Sequence, residues 1–210
     1  MLDMEYRALP KFDQEFVSSK GSALEFNTLL FSRYWTGFDF SKPIRILDLG
    51  GVRSSTIDFF SDYPCFITVV NSIGELIYTG RDDESDLDTA EQINRIIPID
   101  EQPYDLILVW DCFNYLPADI ITILHYRLSL ACHKNTRVYG FLYTSEKQNI
   151  SPWDFQVHSH SKMSSQASTA ETRQIRPLNS LKLMQYMPCF KLDRSVLIVN
   201  GMQEFLLTQN

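Results

Sequence analysis

Along the 210-residue chain, short apolar runs alternate with stretches of helical spacing. The runs IRILDL (44–49), CFITVV (65–70), YDLILVW (104–110) and RVYGFLY (137–143) are brief and rich in aliphatic, β-branched and aromatic residues. Strands buried on both faces of a parallel sheet read this way. Ala23, Phe26, Leu30 and Tyr34 recur at helical spacing and predict a helix over 22–34. Ile57, Phe59 and Phe60 predict a short helix with Ser54 or Ser55 as N-cap, ended before Pro64. A helix over 90–95 and a short strand at IIPI (96–99) follow. Pro117 suits the first turn of a helix over 117–132, with Ile120, Ile121, Leu124 and Leu128 on one face and His133-Lys134-Asn135 closing it. After a helix over 177–187, Asn200-Gly201 lies between two β-rich runs, the strongest short hairpin signal.

Strands alternating with helices predict an α/β three-layer sandwich around a mostly parallel seven-stranded sheet that ends in an antiparallel hairpin. Residues 1–40 read as a helical lead-in or cap, and 144–176, polar and serine-rich, as a long loop. In such a sheet, functional residues gather at the carboxyl ends of the strands.

Composition narrows the classes. With 44% hydrophobic and 13% aromatic residues the chain has the makings of a real core. A net charge of −7 without any Lys/Arg cluster argues against a nucleic-acid partner. The four cysteines form no CxxC pair, which predicts reduced thiols and a cytoplasmic setting. No apolar run approaches the ~20 residues that span a bilayer, so no membrane insertion is expected. Asp82, Asp83, Glu84, Asp86 and Asp88 form an acidic stretch, most simply solvated, with docking of a basic partner as the minority reading.

Three segments in order, ILDLGG, YDLILVWDCFNYLP and FKLDRSVLIVNGMQEFLL, resemble the class I S-adenosylmethionine-dependent methyltransferases. The resemblance runs from about Ile44 to Leu207 and implies a Rossmann-like domain over 41–210. It implies S-adenosylmethionine as cofactor, held by Asp48, Gly50, Gly51, Asn71 and Asp111, and it makes Asp111 and Tyr115 the candidates for a catalytic, acceptor-facing pair. Asp105 falls on the family's structural acidic position.

The departures from that pattern matter. In the family's GxGxG turn, glycines permit positive φ and let backbone approach the cofactor. Here the second and third glycine positions carry Val52 and Ser54, and a β-branched residue resists positive φ. Asn71 replaces the acid that would accept both ribose hydroxyls, and an amide offers one uncharged acceptor oxygen. Two such defects weaken a micromolar cofactor by ~100-fold or more. Arg53 in the turn is either a solvated cation or the partner of a carboxylate or phosphate. His125 reads as a helix-surface residue, and His158 with His160 lacks the companions a metal site needs.

The defects favour a methyltransferase-like protein with a degraded site, non-catalytic and acting through partner binding. The alternative is an active methyltransferase on a small-molecule or protein acceptor. Fold by itself does not choose between them.

Overall fold

The computed structural model describes residues 23–70, 89–99, 102–143, 153–167, 176–198 and 201–210. The strands are β1 (Leu24–Asn27), β2 (Ile44–Asp48), β3 (Cys65–Val69), β4 (Tyr104–Trp110), β5 (Cys132–Tyr143), β6 (Trp153–Ser159), β7 (Lys162–Ala167), β8 (Phe190–Leu197) and β9 (Met202–Gln209). The helices are α1 (Leu30–Trp35), α2 (Ser54–Ser61), α3 (Thr89–Ile96), α4 (Ala118–Leu130) and α5 (Ser180–Tyr186), with a 3₁₀ turn at Cys112–Asn114.

Six strands form the main sheet in the order β3-β2-β4-β5-β9-β8. The pairs β3–β2, β2–β4 and β4–β5 are parallel, and the β8–β9 hairpin adds two antiparallel contacts at the far side. Gly201 makes that hairpin's turn possible with φ of 72°. The expected α/β class, mostly parallel sheet and closing hairpin are therefore present, but the described sheet has six strands, not seven.

Period-2 alternation in β4 divides the core between two faces. Ile107 and Val109 meet Ile93, Ile97, Leu124, Leu128 and Leu183, contributed by α3, α4, α5 and the residue after α3. Leu106 and Leu108 face the opposite layer with Phe31, Trp35, Phe59 and Phe60 from α1 and α2. A second sheet, three-stranded and antiparallel in the order β1-β7-β6, joins that layer through Phe26, Phe155, Val157 and Met163.

Glu204, fully buried on β9, docks the start of α1 on the main sheet. Its carboxylate accepts the N–H groups of Leu29 and Phe31, each at 3.0 Å, and the Tyr139 hydroxyl at 2.8 Å. Burial, with Glu204 alongside, holds the Tyr139 phenol well above its ordinary pKa.

Several segments depart from the expected elements. The helix expected over 22–34 is a strand followed by a short helix, because Phe26 turns inward while Glu25 and Asn27 turn out, and β1 finds a partner in β7. No strand forms at 96–99: Ile97 N–H donates to Ile93 O and both side chains are buried against the sheet, while Pro98 has no N–H for a ladder. Within the segment read as a loop over 144–176, β6 and β7 pair as an antiparallel hairpin. Helix α4 ends at Leu130, and His133 belongs to β5, where its Nε2 lies 3.0 Å from Asp105 Oδ1. Asp105 also accepts the Arg45 N–H at 2.8 Å, so it ties β2, β4 and β5 together at their shared end. Among the described residues, no helix is long and apolar enough to cross a membrane.

Candidate functional site

Strand β2 delivers Asp48 to the carboxyl end of the sheet, and the chain turns through Leu49–Arg53 into α2. Gly51 takes φ of 81°, the one place in this turn that needs a glycine's conformational freedom. The Asp48 carboxylate is buried, with 2% exposure, and its Oδ1 accepts the Gly50 N–H at 2.8 Å. The same oxygen accepts the Trp110 indole N–H at 2.6 Å. Burial pushes the Asp48 carboxyl up to about 6, against the lowering pull of Trp110, the Gly50 N–H and the Arg53 charge.

Trp110 ends β4 and has φ of 49°, the only positive value at a non-glycine among the described residues. The pairing of β4 with β5 shifts register between Leu108 and Trp110. Two glycines make room for this residue. A Cβ on Gly50 would overlap indole atoms Nε1 and Cδ1, and a Cβ on Gly140 would overlap the Trp110 carbonyl oxygen. The indole also lies parallel to Phe155 of β6, with centroids 5.5 Å apart and planes 6° from each other. Phe155 stacks on Phe141 in turn, at 4.7 Å.

Strand β6 closes over the start of α2. Arg53 pairs with Asp154, Ser55 Oγ donates to Gln156 Oε1 at 2.9 Å, and Val157 N–H donates to Thr56 Oγ1 at 3.1 Å. The serines expected to cap α2 do not: Arg53 holds the N-cap position and no side chain caps it. Arg53 does meet a carboxylate, and it belongs to this chain.

Of the expected cofactor residues, Asp48, Gly50 and Gly51 form one cluster, and Asn71 lies outside the described residues. Val52 keeps its backbone out of the positive-φ region, as a β-branched residue should, and it is 63% exposed. Asp111 and Tyr115 sit together beyond the end of β4, with Tyr115 OH donating to Asp111 Oδ2 at 3.0 Å, both residues buried. Between them Asn114 is fully buried and structural: its amide donates to the Asp111 and Phe141 carbonyls and accepts the Tyr143 N–H. Burial, with Asp111 adjacent, raises the Cys112 thiol far out of the reactive range.

The histidines scatter. His125 is buried rather than on the helix surface, its Nδ1 2.5 Å from Thr122 O. His158 contacts Ser164 Oγ at 2.7 Å and His160 contacts Ser32 Oγ at 3.2 Å. Among the described residues, no group of three or more His, Cys, Asp or Glu is placed to hold a metal ion.

Two site residues escaped the sequence reading. Trp110 closes the apolar run YDLILVW and has the pattern of an ordinary strand residue, with no local signal that its ring lies against the glycine turn. Phe155 lay inside the presumed loop, although WDFQVH alternates apolar and polar residues as a half-buried strand does.

No family model matches the sequence, and no curated protein matches it. Many solved structures do share its architecture. The Burkholderia thailandensis 1,6-didemethyltoxoflavin-N1-methyltransferase, solved with 1,6-didemethyltoxoflavin and S-adenosylhomocysteine bound, is 12% identical with a TM-score of 0.51, covering 93% of this chain and 98% of its own. The Pyrococcus horikoshii OT3 protein PH0226 is 9% identical with a TM-score of 0.52, covering 86% of both chains. The fold is that of the class I S-adenosylmethionine-dependent methyltransferases. The chain spans only 54% of a further match, the pyocyanin biosynthetic protein PhzM, 13% identical with a TM-score of 0.47. Within this fold, Asp48, Gly50 and Gly51 lie at the turn that follows β2, and Trp110 ends β4.

Proposed function

We propose that this chain is a methyltransferase-like protein that does not transfer methyl groups and works by binding a protein partner. The observation that carries this reading is the Trp110 indole seated against Gly50 and bonded to Asp48. The residues present do not fit the S-adenosylmethionine that the fold implies. The glycine that would let a cofactor approach the turn is already in contact with an indole ring, and the Asp48 oxygen facing it already accepts two N–H donors. The clamp of β6 on the start of α2 supports the same reading, since it draws Arg53, Ser55 and Thr56 into contacts within the chain.

The second reading, an active methyltransferase on a small-molecule or protein acceptor, is favoured by the Asp111–Tyr115 pair, which sets a buried hydrogen-bonded carboxylate at the functional end of β4. A thermal-shift titration with S-adenosylmethionine and S-adenosylhomocysteine separates them. A ligand at 100 times its dissociation constant adds about 2.7 kcal/mol, a rise of several degrees for a chain of this size. No shift is expected with either ligand, and a saturable rise with one of them returns the chain to the enzymes.

A further inference from the structure

Trp110 combines a rare backbone conformation with a tailored seat. A bulky residue at φ of 49° is an outlier that persists only where its surroundings over-determine it. Here the surroundings are unusually specific. Gly140 leaves room for its carbonyl and Gly50 for its ring, Asp48 receives its N–H, and Phe155 lies parallel to its face. A carboxylate acceptor, an aromatic wall and a floor without side chain are the contacts by which a protein recognises a flat ring. The ring in this seat belongs to the chain itself. Gly50, the floor, is exposed, so the seat lies one residue from solvent.

We infer that Trp110 is a releasable plug in a slot for a small planar heteroaromatic ligand that carries a ring N–H, with that N–H directed at Asp48 and the ring face against Phe155. The plug leaves by rotation of the Trp110 side chain about its own torsions, while the backbone stays where Gly140 and the β4–β5 register shift hold it. What the open state loses is the indole's own contacts, and a ligand restores them, shifting the population toward the open form. Selectivity follows from Asp48: a ring without an N–H leaves a buried acceptor short of a donor, whereas one with an N–H replaces the indole bond. This deepens the reading above and rests on it only in taking Trp110 as the resident of the glycine turn.

Two measurements on the full chain test it. The first follows hydrogen exchange of the Trp110 indole N–H by NMR through sub-denaturing urea. A releasable plug exchanges by local opening at a rate that urea leaves unchanged, whereas a permanent core side chain exchanges only with global unfolding. The second titrates Trp110→Gly, whose backbone accepts positive φ freely, with free indole and with 1-methylindole. Indole is expected to bind and to raise the melting temperature, with 1-methylindole about ten-fold weaker or worse. Exchange that tracks global unfolding overturns the proposal, as does a folded Trp110→Gly protein that ignores indole or takes both rings equally. Should that variant fail to fold, the exchange measurement decides. Binding of S-adenosylhomocysteine to the wild-type chain would defeat the non-catalytic reading while leaving urea-independent exchange and indole selectivity as they are, so the two failures are distinguishable.

Discussion

Glycine and alanine at position 110 should rank in the reverse of their usual order. Either substitution empties the seat over Gly50 and removes the donor to Asp48, a loss of about 3–5 kcal/mol for a buried tryptophan. That leaves a folded protein if the domain has ordinary stability, about 5–15 kcal/mol. The loss is common to both variants, so their difference isolates the backbone. Alanine must adopt φ of 49° as an L-residue, at about 1–2 kcal/mol. Glycine avoids that strain and instead carries about 0.5–1 kcal/mol of extra unfolded-chain entropy. Trp110→Gly should therefore be more stable than Trp110→Ala by about 0.5–1 kcal/mol, where an ordinary strand position would favour alanine by as much. Guanidinium denaturation of the two variants reads this as a shift in midpoint at equal slope. An alanine variant as stable as the glycine variant, or more so, refutes the claim that Trp110 is held in a strained conformation.

Other consequences are equally specific. Because burial raises the Asp48 carboxyl from its ordinary 3.8 to about 6, the folded state holds that proton more tightly than the unfolded chain. This group's contribution to stability is therefore fully present below about pH 3.8 and is lost as pH rises to about 6, costing roughly 3 kcal/mol at neutral pH. Urea midpoints of wild type and Asp48→Asn across that window should diverge, with the variant's profile the flatter. Gly140→Ala places a Cβ into the Trp110 carbonyl and crowds Val109 and Phe205, so it should cost about 2 kcal/mol or more by denaturation, far beyond a surface substitution. Glu204→Ala strands the N–H groups of Leu29 and Phe31 and the Tyr139 hydroxyl, and should lower stability by about 3–5 kcal/mol, with exchange protection lost first in β1 and α1.

The parallel strands were legible because burial on both faces leaves short apolar runs, and the hairpin because Asn200-Gly201 admits few other conformations. What the sequence hid was pairing at a distance. Helical spacing from Ala23 to Tyr34 is genuine as arithmetic, but β1 forms because β7 offers it a ladder some 140 residues away, which no local period records. The serine-rich composition of 144–176 masked β6 and β7, whose inward faces carry Phe155, Val157 and Met163. At the site, the glycine turn resembled a cofactor turn because Gly50 and Gly51 are there, and its two oddities drew attention to Val52 and Asn71. The ring that lies against the turn arrives from β4, 60 residues on from Gly50, a placement that no local pattern records. Asp48, expected as a cofactor contact, accepts N–H groups from both Gly50 and Trp110.

The most direct test of the central claim, that the indole of Trp110 and not a cofactor occupies the glycine turn, is the indole N–H resonance of that residue, assigned by its loss in Trp110→Phe. The account predicts one resonance that responds to pH near 6 as Asp48 titrates and does not move when S-adenosylhomocysteine is added at about 1 mM. A resonance that S-adenosylhomocysteine displaces in a saturable way contradicts it.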